Sequence, residues 1–223
     1  MNELLWVLML IGNFVLITIA HKLFGKKGLF MWVVIAAIIA NIQVTKTVDL
    51  FWMAASLGNI VYATSFLATD ILSEYYGKEE AKRAVYIGLF TILVATILMQ
   101  VALWFKPIAE DFAHESLVNI FGIMPRIALG SITAYFVSQR HDIWAYAFWK
   151  KKTNKIWIAN NASTMVSQLI DSLIFVTIAF AGVFPFGVLV QIFITTYVLK
   201  WIVAAADTPF VYLAKRHVRE EGE

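Results

Sequence analysis

Uncharged stretches divide the chain. Runs without Asp, Glu, Lys or Arg cover 4–20, 28–45, 50–69, 84–105, 156–170 and 172–199, and an apolar stretch around 124–139 is interrupted only by Arg126. A bilayer-spanning helix needs about 20 mostly apolar residues, so these runs have the length of spans. The last region is too long for one span, and its Gly182-Val183-Phe184-Pro185-Phe186-Gly187 segment predicts a tight turn between two helices. Seven spans follow, near 4–21, 28–46, 49–70, 84–105, 120–139, 157–180 and 186–207. The expected architecture is all-α, a polytopic transmembrane helix bundle forming a single domain over 1–223. A six-span arrangement, with the first segment lying in the interface, is the alternative. The first run does not read as a cleaved signal peptide, because Glu3 and no basic residue precede it and no A-x-A site follows.

Composition agrees with this layout. Only 33 of 223 residues are charged and 61% are hydrophobic, against about 25% charged in a typical soluble domain. So few charges could not cover a water-exposed surface of this size. An ordinary cytosolic enzyme, a disordered tail and a nucleic-acid-binding module are thereby excluded. The absence of cysteine removes disulfides, thiolate metal sites and cysteine nucleophiles.

The placement of the basic residues carries orientation. Alternate loops hold Lys22, Lys26 and Lys27; Lys78, Lys82 and Arg83; Arg140, Lys150, Lys151, Lys152 and Lys155; and Lys215, Arg216 and Arg219. Together these are 14 of the 18 basic residues. The opposite loops hold Lys46 and Lys106, beside an acidic connection with Glu110, Asp111 and Glu115. Basic loops stay on the cytoplasmic side, which predicts an outside N-terminus and an inside C-terminus. Trp144, Tyr146, Phe148, Trp149 and Trp157 flank the 150–152 lysine run as interfacial anchors.

Polar residues at membrane depth mark where function is expected, since each is costly in hydrocarbon. In the sixth span Asn161, Thr164, Gln168 and Asp171 recur at helical intervals on one face, widened by Asn160, Ser163 and Ser167. Interhelical hydrogen bonding accounts for the hydroxyls. Gln168 and Asp171 suit contact with a ligand or coupling ion. Arg126 in the fifth span lies at a level similar to Asp171, about 9 Å from the outer face at 1.5 Å per residue, so the two are expected to pair or to flank one site. Ser131, Tyr135, Ser138 and Asp142 form another polar face. In the third span Asp70 and Glu74 stand one turn apart, where like charges repel unless a cation or donor-rich ligand lies between them. Alternatively Glu74 is a solvated helix end pairing with Lys78. In the seventh span Lys200 and Asp207 share a face near Tyr197, with Asp70 a counter-charge for Lys200. Asn41 and Lys46 lie in the second span. Val137–Asp142 and Val166–Asp171 repeat V-S-Q-x-x-D on helices of opposite direction, a short match for which chance is sufficient.

Several chemistries lack their residues. There is no phosphate loop, H-E-x-x-H or G-x-S-x-G. His21, His114, His141 and His217 fall in loops or at span ends, so no metal site and no cofactor are expected, and nothing sets a nucleophile against a base.

Asn41-Ile-Gln-Val-Thr-Lys46, then Phe66-Leu-Ala-Thr-Asp70-Ile-Leu-Ser-Glu74-Tyr-Tyr-Gly77-Lys78, resembles the opening motifs of the queuosine precursor transporter family, within the vitamin-uptake-transporter group. Arg126-Ile-Ala-Leu-Gly-Ser131 with Tyr135 and Ser138-Gln139 resembles its middle. Asn161-Ala-Ser163-Thr164 with Ser167-Gln168 and Asp171, then Tyr197-Val-Leu-Lys200, resembles its C-terminal part. The likeness covers roughly residues 30–213; Ala63 departs from it where a proline is expected. It implies a multi-pass protein of the inner (plasma) membrane, not an enzyme, that imports 7-deazaguanine bases such as preQ0 and preQ1 for transfer-RNA modification. Its partners would be that small molecule and the bilayer, without nucleic acid. Ala36-x-x-x-Ala40 offers a helix-packing surface compatible with a homo-oligomer. The substrate-binding set would be Asn41, Asp70, Glu74, Arg126, Asn161, Gln168, Asp171 and Lys200, with Asp171 the first choice to accept the N1 and 2-amino donors. Competing expectations are a substrate-capture subunit that needs separate energising proteins, and an intramembrane lipid-modifying enzyme.

Overall fold

The computed structural model describes residues 1–153 and 156–215; side chains at 63, 139, 142, 143, 146, 147, 150, 156–161, 163, 164, 204, 205 and 208 are outside the description. The described chain is predominantly helical: α1 (Asn2–Phe24), α2 (Lys26–Gln43), β1 (Thr47–Leu50), β2 (Met53–Ser56), α3 (Gly58–Tyr75), α4 (Lys78–Trp104), α5 (His114–Phe121), α6 (Met124–Thr153), α7 (Ile156–Phe180) and α8 (Phe186–Ala214). Among the described residues, five stretches are long and apolar enough to cross a membrane: Asn2–Phe24, Lys26–Gln43, Lys78–Trp104, His114–Ser138 and Phe186–Val203, with Met165–Phe180 a shorter apolar one. Helix breaks fall where the sequence lacks a helical choice. Gly25 and Gly77 adopt φ +57° and +96°, and Gly182 adopts φ +79° in the turn between α7 and α8.

The third span departs from expectation. The apolar run from 49 does not continue as helix to 70. Its first part is an antiparallel hairpin, with Thr47 opposite Ser56 and Leu50 opposite Met53. The two-residue turn is Phe51–Trp52, both at positive φ (51° and 63°). This is the backbone twist that short hairpins favour, normally supplied by Asn or Gly. Bulky residues there cost backbone strain, so surrounding contacts must hold the turn. They are present: Asn2 Nδ2 donates to the Asp49 carbonyl at 2.9 Å, and the Phe51 N–H donates to Glu3 Oε1 at 3.3 Å. Ser56 Oγ donates to the Val44 carbonyl at 2.9 Å, closing the hairpin against the end of α2. The acidic connection also gains structure, because Asp111 Oδ1 accepts from the N–H groups of Ala113 and His114 and starts α5.

Two compact units divide the chain: Met1–Gly122 with Val198–Glu223, and Ile123–Tyr197. In the first, a core of Phe14, Ile17, Leu29, Ala36, Ile60, Leu67, Leu72 and Leu199 is buried. Small residues let α2 and α3 approach. A Cβ at Gly58 would stand 2.5 Å from the Ala40 carbonyl oxygen, so only glycine fits that crossing. Trp32 Nε1 donates to Thr64 Oγ1 at 3.1 Å within the same buried seam. In the second unit α6 packs on α7, and a Cβ at Gly130 would meet the Phe175 carbonyl oxygen at 3.3 Å.

Candidate functional site

The C-terminal half of α3 sorts its polar groups into satisfied and open ones. Thr64, Ser65 and Thr69 each donate a hydroxyl to a carbonyl three residues back, on Val61, Tyr62 and Phe66. Such back-bonding lets hydroxyls reside in an apolar helix without a ligand. Asp70 and Glu74 have no comparable local partner, because carboxylates can only accept. Leu67, Ala68, Ile71 and Leu72 bury the opposite side of the helix. This leaves Asp70, Ser73 and Glu74 facing a pocket of about 490 Å³ whose other described lining is Tyr75, Asp207, Val211 and Tyr212.

α8 supplies that second wall. Val203 and Asp207 lie one turn apart on its buried side, and Asp207 is only 7% exposed. Pro209 lies inside this helix and withholds one backbone donor near the pocket. Tyr75 Oη donates to the Val211 carbonyl at 3.0 Å, which ties α3 to α8 and fixes the Tyr75 ring as a wall. The pocket therefore gathers three carboxylates, a serine and two tyrosines. No Lys, Arg or His is among the described residues lining it. Among the described residues no group of three His, Cys, Asp or Glu is arranged to hold a metal ion.

Asp70 and Glu74 are thus brought together, whereas other expected residues are placed elsewhere. Asp70 forms no ion pair with Lys200. Lys200 precedes Asp207 by two helical turns, about 10 Å along α8, which removes it from the pocket level. Glu74 likewise makes no pair with Lys78 and opens into the pocket instead. Asn41 is buried in α2 and donates to its own helix at the Ala37 carbonyl, 2.6 Å away.

The α6–α7 pair holds the remaining candidates. Arg126 does not pair with Asp171. Its Nε and guanidinium nitrogen donate to the Ile178 carbonyl at 3.2 and 3.0 Å, and the same nitrogen reaches the Ala181 carbonyl at 2.7 Å. The last carbonyls of a helix lack intrahelical donors and carry the negative end of its dipole, so they compete well for a nearby guanidinium. Asp171 accepts from Ser138 Oγ at 3.4 Å, and His141 Nδ1 meets Ser167 Oγ at 3.0 Å. The two V-S-Q-x-x-D segments thus face each other across antiparallel helices, and the serine of each bonds to the other. Gln168 Oε1 and Ser172 Oγ are buried without a hydrogen-bond partner among the described residues. The Asn161 side chain and His217 lie outside the described residues.

Asp207 belongs with the site more firmly than its sequence pairing with Lys200 suggested. Tyr75 and Tyr212 were not singled out. Helical phase from Asp70 and Glu74 brings Tyr75 to the same end of α3, but nothing local in sequence links α3 to Tyr212.

Long apolar helices with an acceptor-rich pocket between two of them have the make-up of a multi-pass membrane protein. The family model described as "Putative vitamin uptake transporter" matches residues 56–214. A Bacillus subtilis (strain 168) protein named "Probable queuosine precursor transporter" is 42% identical over 220 residues, 97% of this chain and 96% of that protein. An Escherichia coli (strain K12) protein named "Queuosine precursor transporter" is 26% identical over 160 residues, covering 72% of this chain and 70% of its own length. No solved structure matches. The chain belongs to the queuosine precursor transporter family, within the vitamin uptake transporter group.

Proposed function

We propose that the chain imports queuosine precursors, 7-deazaguanine bases such as preQ0 and preQ1, across the inner (plasma) membrane for transfer-RNA modification. The observation that carries this reading is the near full-length likeness to a protein of that name. The pocket chemistry supports it. A guanine-like edge presents N–H donors at N1 and the 2-amino group, which a carboxylate accepts as a fork. Asp70, Glu74 and Asp207 supply the acceptors, and Tyr75 and Tyr212 supply faces for a flat ring. The cavity volume falls within the range of small-molecule sites. Gln168, with its open acceptor, and Asp171 are second-choice contacts.

In this reading the seven described helices of at least 18 residues are the seven spans, with α3 the third. With the basic loops inside, the N-terminus is outside, the C-terminus inside, and the C-terminal ends of α3 and α8 both lie toward the cytoplasm. The pocket then opens on the release side. Residues 1–223 act as one transport domain without catalysis.

Labelled preQ0 and preQ1 should accumulate in queuosine-synthesis-deficient cells expressing this chain alone. Membrane insertion without uptake of either base overturns the reading, and uptake only when energising proteins are co-expressed makes the chain a substrate-capture subunit.

A further inference from the structure

We propose that Trp6 and Gln43 form a reception site for the base, at the end of the first unit opposite the α3–α8 pocket. Its ligand class is a neutral lactam edge, a ring carbonyl beside a ring N–H. The proposal rests on the import reading and adds an entry station to it.

Two polar atoms carry it. The Trp6 indole Nε1 and the Gln43 amide Oε1 are both buried with no hydrogen-bond partner among the described residues. Trp6 is only 5% exposed. A buried donor or acceptor left open is costly, and most such groups in proteins are paired. Nearby amides follow that rule: Asn41 Nδ2 donates to the Ala37 carbonyl and Asn59 Nδ2 to the Ser56 carbonyl. Trp6 and Gln43 do not.

The two side chains belong to one level. α1 and α2 run antiparallel from the turn at Gly25 and cross closely at Gly28, where an added Cβ would strike the Ala20 carbonyl. Trp6 is 14 residues from Ala20, and Gln43 is 15 from Gly28. At 1.5 Å per residue, each stands about 21–22 Å along its helix from that crossing. Both helix ends there are tied to the same hairpin, α1 through Asn2 and Asp49, α2 through Val44 and Ser56. Trp6 shares a buried cluster with Leu50 and Ala55 of its two strands. Gly58 packs on Ala40 and Val44 at this end, and Asp70 lies 12 residues further along α3, a rise of about 18 Å.

One donor and one acceptor, level with each other yet not bonded to each other, match a ligand that presents the converse pair. The lactam edge of a 7-deazaguanine does so. Its carbonyl accepts from the Trp6 N–H, and its N1–H donates to Gln43 Oε1. Neither protein group is charged, so the contact is of the weaker kind and lets the base pass on to the carboxylates of the pocket. With the basic loops inside, this end faces outward, the side from which an imported base arrives.

Two variants test it in queuosine-synthesis-deficient cells expressing the full chain at matched membrane levels. Trp6→Phe keeps an aromatic ring and removes the N–H, and Gln43→Leu removes the acceptor. Each should raise the half-saturating concentration of labelled preQ1 about fivefold, the size of one neutral hydrogen bond. The maximal rate should stay within about twofold, as loss of a binding contact implies. The sharper readout is competition by unlabelled 7-deazaguanine and by 2-amino-7-deazapurine, which lacks the carbonyl and carries no hydrogen on N1. In the unaltered chain the first should compete at the lower concentration, and both variants should narrow that ratio about fivefold. A role in packing, or in holding a bridging water only, moves both competitors alike. An unchanged ratio in both variants therefore overturns the reception site and leaves the import reading standing. Uptake of no labelled base by the unaltered chain overturns both.

Discussion

The α3–α8 pocket and the α6–α7 seam are both polar patches within apolar helices, yet they use their polar groups in opposite ways. In the seam, side chains answer one another: Ser138 bonds Asp171, His141 bonds Ser167, and Arg126 closes the open end of α7. On α3, Thr64, Ser65 and Thr69 are satisfied locally, whereas Ser73 and three carboxylates face a cavity together. The two patches differ in how many of their polar groups find partners within the chain. Gln168 and Ser172 are the seam's exceptions, each with a buried oxygen lacking a partner among the described residues.

Substitutions can break or sharpen this contrast. The largest effect is expected in the pocket. Asp70→Asn should lower uptake by one to two orders of magnitude, as loss of a charge-assisted contact implies, while the detergent-purified protein keeps its melting temperature. Retained uptake would remove the pocket from the substrate path. Next comes the seam's helix cap. Arg126→Gln should cost about 1 kcal/mol of stability, visible as a lower melting temperature, with uptake per inserted molecule within about twofold of the parent. A collapse of uptake at normal stability would move Arg126 into the binding site. The smallest change belongs to Ser138→Ala, about 0.6 kcal/mol, the average for one interhelical hydrogen bond in a membrane. A much larger loss would mean that the paired V-S-Q-x-x-D segments act as one cooperative network.

Helix positions were legible because the absence of charge over about 20 residues has few other causes. α1, α2 and α7 begin and end within a few residues of the limits read from the runs, whereas α4 starts six residues before its limit and α8 ends seven residues beyond. The hairpin was hidden for a physical reason. Phe51 and Trp52 occupy a turn that ordinarily announces itself with Asn or Gly, and what permits them is a clasp from Asn2 and Glu3, nearly fifty residues away. In the pocket, Asp70 and Glu74 were legible through one-turn spacing, which needs only α3. Asp207 and Tyr212 required knowing which helix lies beside α3, and local periodicity holds no such information. Depth arithmetic placed Arg126 level with Asp171 but took no account of the carbonyls at the end of α7.

The clasp bears on membrane sidedness. Because Asn2 bonds Asp49, the first turn of α1 and the hairpin tip emerge on one side of the bilayer whichever way the protein inserts. Trp52 is 97% exposed, and the chain has no cysteine of its own. Single thiols introduced as Leu4→Cys and as Trp52→Cys will therefore react with a membrane-impermeant maleimide from the same compartment, and a thiol at Lys27→Cys from the other. Three labelling reactions on intact cells and inverted vesicles turn a pair of hydrogen bonds into the compass of the whole molecule.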